Sequence, residues 1–159
     1  MSNRAVFLDR DGTINVDFGY VHEPKDFVFV DGVIEFCREV QSRGFLIIVI
    51  TNQSGIERGY FSENDYEKTN RHMIQEFAHH GVTITDVFHC PSLSGPNRKP
   101  APGLFLKARD MYDIDMSQSI NIGDKDRDMQ AGRAAGVGVN ILFKGEYSEI
   151  SKTISFLRT

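Results

Sequence analysis

The sequence predicts a doubly wound α/β domain: a mainly parallel sheet with helices on both faces and no large cap. Two observations carry that prediction. Short apolar runs recur along the chain without polar alternation, as strands buried on both faces require. Longer stretches with helical periodicity separate them, and strand–helix alternation implies right-handed crossovers around one sheet. A length of 159 residues suits a single domain, 1–159.

Ala5–Leu8, Phe45–Ile50 and Val137–Leu142 are the clearest strands, and Val87–His89 and Ile120–Ile122 are weaker ones. Helical patterns cover Val33–Ser42, Glu63–His80, Gly103–Tyr112, Arg127–Ala135 and Glu149–Leu157. Ser62 followed by Asp65 resembles a capping box. Gly44 and Gly81 fall where helix ends favour a left-handed residue. Two segments break the alternation. One is 14–31, rich in Gly, Pro, Asp and aromatics; the other is 91–102, which holds four of the five prolines. Both leave strand ends, so both are expected to wall a ligand site at the carboxyl edge of the sheet.

Hydrophobic residues make up 40% and charged residues 25% of the chain, an ordinary soluble balance. A net charge of −4 argues against a nucleic-acid partner, which needs a broad basic face. It leaves an anionic small molecule open, because a few local cations can outweigh a mild global charge. The two cysteines, Cys37 and Cys90, form no disulfide framework. The longest apolar run, Phe45–Ile50, is far too short to span a bilayer, and no signal-peptide pattern opens the chain. The expectation is a reduced, cytoplasmic, monomeric protein with no membrane partner.

Asp9 and Asp11 directly follow the first strand, in Phe7-Leu8-Asp9-Arg10-Asp11-Gly12-Thr13. Side chains two apart in extended chain project to one side. Two carboxylates ~4 Å apart repel by roughly 4 kcal/mol at an effective dielectric of ~20. A hard cation such as Mg²⁺ relieves that repulsion; an Asx-turn leaving a strand is the plainer alternative. A second acidic site tips the balance. Asp124 and Asp128 lie just past the strand 120–122, in Gly123-Asp124-Lys125-Asp126-Arg127-Asp128. Asp124 offers the metal an oxygen from another strand. Asp128 is equally explained as an acid in a helix's first turn and is expected to act at most behind the ligands. Thr51-Asn52-Gln53-Ser54 supplies donors at a third strand end, and Lys99 a cation past a fourth. Each motif alone has an ordinary structural explanation; their succession at separate strand ends does not.

With those residues in view, the chain resembles the haloacid dehalogenase-like phosphatases, whose signatures match Asp9-x-Asp11, Thr51, Lys99 and Gly123-Asp124-x-x-x-Asp128. Longer strings, Phe7–Asn15, Gly19–Glu23, Thr51–Ile56 and Gly123–Lys125, resemble the branch that acts on heptose bisphosphate and histidinol phosphate. The resemblance runs from about Ala5 to Leu142. It implies Asp9 as nucleophile and Asp11 as general acid and base, with Thr51 and Lys99 stabilising the phosphoryl group. It implies Mg²⁺ held by the Asp9 and Asp124 carboxylates and the Asp11 carbonyl, with Lys125 adjacent but no ligand through its side chain. Asp17, Gly19, Tyr20, Asn52, Gln53 and Ser54 would line a sugar pocket, and Arg98 would recognise the substrate. His22 is a candidate pocket residue without an assigned role.

The expected substrate is therefore a sugar phosphate, foremost heptose 1,7-bisphosphate, with histidinol phosphate as the alternative. A phospho-accepting receiver domain is the reading from another class, but its middle strand carries the accepting Asp where this chain has Thr51-Asn52. Many members of the branch hold a structural zinc between Cys-x-His and Cys-x-Cys pairs. Here the corresponding loop reads His89-Cys90-Pro91-Ser92-Leu93-Ser94-Gly95-Pro96-Asn97, which retains Cys90 alone as a matching ligand. Four-coordinate zinc cannot be assembled from it, so no structural zinc is expected.

Overall fold

A computed structural model describes residues 2–154. Its strands are β1 (Arg4–Leu8), β2 (Phe45–Asn52), β3 (Asp86–Cys90), β4 (Ile120–Gly123) and β5 (Val139–Leu142). The helices are α1 (Val33–Ser42), α2 (Glu63–His79), α3 (Gly103–Tyr112), α4 (Asp126–Ala134) and α5 (Tyr147–Ile154). The strands form one sheet in the order β3-β2-β1-β4-β5, and every neighbouring pair is parallel. The chain moves outward from β1 to β3, then returns to β4 on the other side of β1. That reversal places the topological switch point between β1 and β4, where doubly wound folds bind ligands.

The sheet divides two cores by strand alternation. Val6, Leu8, Ile47, Val49, Ile120 and Ile122 face one way and pack with α1, α2 and α5 through Phe36, Met73, Phe77 and Ile150. Ala5, Phe7, Ile48, Ile50 and Phe88 face the other way, against Leu104, Phe105 and Ala108 of α3 and Ala131 of α4. The Ser62 hydroxyl accepts from the Asp65 amide and the Asp65 carboxylate from the Ser62 amide, completing the capping box of α2.

Several boundaries shift by one residue, and three differ from the sequence reading by two. β2 continues through Thr51 and Asn52, because both pair with β3 at His89 and Cys90. β5 starts at Val139 rather than Val137, since the Val137 and Gly138 amides turn back to Gly132 and Met116. α5 starts at Tyr147, earlier than the expected Glu149; the residues expected to end it, 155–157, lie outside the described ones. Between β1 and α1, residues 9–32 form a loop with one 3-10 turn at Pro24–Asp26, and residues 53–62 connect β2 to α2; no cap domain is built on either segment.

Candidate active site at the carboxyl ends of the strands

The turn after β1 delivers Asp9 and Asp11 to one place. The Asp9 amide still pairs with Ile122 of β4 at 3.0 Å, while the Arg10 carbonyl accepts from the amides of Thr13, Ile14 and Asn15. Gly12 takes φ +87° at the bend, the left-handed region that glycine enters without strain. Behind this turn, the Tyr147 hydroxyl of α5 donates to the Thr13 carbonyl at 2.6 Å.

Asp9, Asp124 and Asp128 each place a carboxylate oxygen within 4.8 Å of the others. The Lys99 ammonium, 3% exposed, sits against this group. It lies 2.9 Å from Asp9 Oδ1 and 2.7 Å from Asp128 Oδ1, and donates to the Ile50 carbonyl at 2.6 Å. Its three protons are thereby used. Burial pushes the Asp9 carboxyl well above its ordinary value; Lys99 works against that push, and the charges of Asp128 and Asp124 add to it. Burial alone would lower the Lys99 ammonium, but Asp9 and Asp128 outweigh it and hold it above its ordinary value. Three carboxylates face one buried ammonium, with only the exposed Lys125 ammonium 3.7 Å from Asp124 Oδ2 besides, and a divalent cation would neutralise the remaining negative charge. Asp124 Oδ1 is buried with no hydrogen-bond partner. An orphaned buried acceptor beside two further carboxylates fits a hard, oxygen-seeking metal ion.

Asp11 is held differently. Its Oδ1 accepts from Arg10 Nη2 and Asn15 Nδ2, both at 3.0 Å, and its Oδ2 from Gln53 Nε2 at 2.9 Å. Its carboxylate is thus fixed beside the metal-competent group. Gln53 Nε2 also reaches Thr51 Oγ1 at 2.9 Å, so Thr51 is buried beneath the site. Asn52 clamps the Lys99 backbone, donating to its carbonyl at 3.1 Å and accepting from its amide at 3.0 Å.

These groups form the floor of a cleft of about 320 Å³. Asp9, Asp11, Asp17, Gly19, Tyr20, Asn52, Gln53, Ser54, Arg98, Lys99, Asp124 and Lys125 line it, together with Gly55, Arg58 and Arg127. Asp17 Oδ1 accepts from the Gly19 amide, and the Tyr20 ring meets Tyr60 edge-on, centroids 4.8 Å apart. Lys125 Nζ stands 3.7 Å from Asp124 Oδ2. Arg98 Nη1 donates to the Ser92 carbonyl at 3.3 Å. His22 instead stacks on Phe61, its Nδ1 against the Tyr20 carbonyl. His89 contacts Glu63 and stacks on Tyr66, and the Cys90 thiol turns toward the Ser92 carbonyl.

Residues 5–153 match the polynucleotide kinase 3 phosphatase family. The chain belongs to this family. Among its relatives is the D-glycero-α-D-manno-heptose-1,7-bisphosphate 7-phosphatase of Campylobacter jejuni, 48% identical over 94% of this chain and 87% of that one. The D-glycero-β-D-manno-heptose-1,7-bisphosphate 7-phosphatase of Vibrio cholerae is 46% identical over 91% of this chain and 83% of its own. The crystal structure of D,D-heptose 1,7-bisphosphate phosphatase from B. bronchiseptica, complexed with magnesium and phosphate, superposes with a TM-score of 0.80. It is 28% identical and matches 86% of this chain and 78% of that one. The chain is a phosphatase of the haloacid dehalogenase-like group.

Two sets of contacts in this phosphatase were not read from sequence, those of Arg10 and that of Asp128 with Lys99. Arg10 is 1% exposed and ties Asp11 to the Val21 carbonyl at 2.7 Å, with its guanidinium 5.8 Å from the centre of the Phe27 ring. Its placement between two acids was the available signal. Asp128 is 1% exposed and touches the Lys99 ammonium, so it belongs to the charge cluster as well as capping α4 through the Lys125 amide at 3.0 Å.

The phosphatase leaves no room at Gly12. A Cβ there would lie 2.1 Å from Asp124 Oδ2, on a backbone that L side chains rarely adopt. Gly12→Ala is expected to cost about 2–5 kcal/mol from left-handed strain plus overpacking and to displace Asp124. Urea unfolding with a cation-binding titration checks this: an unchanged midpoint and unchanged affinity would contradict the packing described.

Proposed function

We propose that this phosphatase removes the 7-phosphate of D-glycero-D-manno-heptose 1,7-bisphosphate, leaving the 1-phosphate, through an aspartyl-phosphate on Asp9. Two relatives carrying heptose 1,7-bisphosphate 7-phosphatase names over nearly the whole chain support the substrate. The observation that carries the chemistry is Asp9 lying in a cleft between Lys99 and two further carboxylates.

In this reading Asp9 attacks phosphorus as the P–O bond to sugar C7 breaks. Asp11 gives its proton to the departing oxygen, then takes one from the water that attacks the aspartyl-phosphate, so ester and water become alcohol and phosphate. Gln53, Arg10 and Asn15 keep the Asp11 carboxyl aimed through both steps. Lys99, fixed by Asn52, offsets negative charge on Asp9 and the phosphoryl group. Mg²⁺ held by Asp9, Asp124 and the Asp11 carbonyl would supply electrostatic stabilisation of the phosphoryl oxygens. Thr51 would add a hydroxyl donor, and Arg98 would meet the second phosphate, since a guanidinium fork suits it bidentately. Asp17, Gly19, Tyr20 and Ser54 would border the sugar.

All these groups come from one chain, so the reading needs no partner subunit and we assign a monomer. No helix among the described residues is long and apolar enough to cross a membrane, and we place the enzyme in the cytoplasm. The segment 89–97 lacks a zinc ligand set, so magnesium is the one metal assigned.

A substrate panel tests the proposal. The heptose bisphosphate anomers should turn over faster than histidinol phosphate; the reverse order rejects the substrate. Arg98→Ala should lower kcat/KM for the bisphosphate more than for a simple monophosphate. Equal losses on both would remove Arg98 from recognition.

A further inference from the structure

Two arginines in the cleft have no part in the chemistry above. Arg127 is the second residue of α4, where the positive helix end disfavours a cation. Its acidic neighbours do not compensate it. The Asp126 carboxylate accepts from Gln130 at 2.5 Å, and Asp128 faces Lys99 and the Lys125 amide. Among the described residues the Arg127 guanidinium has no ion pair and no hydrogen bond, yet it lines the cleft. Arg58 also lines it, and engages only Nε, toward Ser54 Oγ at 3.3 Å, leaving both terminal nitrogens available. Both residues are exposed at the mouth of the cleft.

The sheet order fixes their relation to the reacting group. Arg58 follows β2 and Arg127 opens the helix after β4, so the strand carrying Asp9 runs between them. An unpaired cation at an unfavourable helix position, across the cleft from a second open guanidinium fork, is a local conflict that an anionic ligand resolves. The phosphoryl group on Asp9 already has Lys99, so these two arginines are surplus to a single phosphate.

We propose that Arg127 and Arg58 reach over the cleft from opposite sides of β1 and grip the substrate's second, non-reacting phosphate. They thereby set the preference for a bisphosphate over a monophosphate. This rests on the sugar bisphosphate reading above and extends it from Arg98 to the far side of the cleft.

The experiment compares kcat/KM on heptose 1,7-bisphosphate and on heptose 7-phosphate for the parent enzyme, Arg127→Ala, Arg58→Ala and Arg127→Lys. The bisphosphate-to-monophosphate ratio should fall about 10- to 100-fold in each alanine variant, the worth of one charge-assisted hydrogen-bonded contact. Arg127→Lys should recover part of it. Inhibition by heptose 1-phosphate, which carries only the non-reacting phosphate, should weaken by a similar factor, while inhibition by inorganic phosphate should weaken less. A parent enzyme without bisphosphate preference overturns the substrate reading itself. A parent with the preference, retained in either alanine variant, overturns the grip.

Discussion

Asp9→Asn lowers kcat by roughly 10⁴–10⁶-fold, the scale seen when a nucleophile is removed, while the protein melts no lower than its parent. The amide oxygen still accepts from Lys99, which stands 2.9 Å away, but cannot form an acyl phosphate. The second half of the result follows from charge. Burial, reinforced by Asp128 and Asp124, raises the Asp9 carboxyl in the folded state. A folded acid that binds its proton more tightly than the unfolded chain makes stability fall with pH. The fall begins near the ordinary value of 3.8 and ends once pH passes the raised folded value. Melting curves between about pH 4 and 8 with chelator present should show this decline in the parent and a shallower one in the variant. Retained turnover in Asp9→Asn would reject the nucleophile; a steeper pH decline in the variant would reject the charge account.

Lys99→Met is expected to damage both stability and rate. The ammonium satisfies Asp9, Asp128 and the Ile50 carbonyl together. Removing one partner from a buried ion pair costs about 3–5 kcal/mol, because the stranded charges stay in place. That is a large share of a domain's total stability of about 5–15 kcal/mol. Loss of a cation aimed at the developing charge should also lower kcat by about 10²–10³-fold. Urea unfolding should show the destabilisation, and adding Asp128→Asn to Lys99→Met should return part of it by removing one stranded charge. A second substitution that only adds further loss would show that Lys99 acts through packing of its stem instead.

The fold was readable because its signals are local. Buried runs such as Phe45–Ile50 mark strands covered on both faces, and Ser62 with Asp65 marks the start of α2. Of the two weaker strand signals, Val87–His89 lies in β3, an edge strand with three half-buried residues, and Ile120–Ile122 lies in β4, which is fully buried but only four residues long. The residues of the site were readable as types at strand ends, while their connections were not. Gln53 orients Asp11 across 42 positions, and Asn52 clamps Lys99 across 47. Both depend on how β2 and the loop after β3 meet, which neighbouring residues do not encode. The contact of Asp128 with Lys99 escaped the sequence for the opposite reason. The helix-start explanation was true, since it caps α4, and it concealed the contact with Lys99.

The most direct measurement is an acid quench within the first turnover, using heptose 1,7-bisphosphate labelled in its 7-phosphate and mapping the label by peptide. The account predicts acid-stable, alkali-labile label on the peptide carrying Asp9, absent from Asp9→Asn. Turnover with no label on the protein, or label on any other residue, would contradict it.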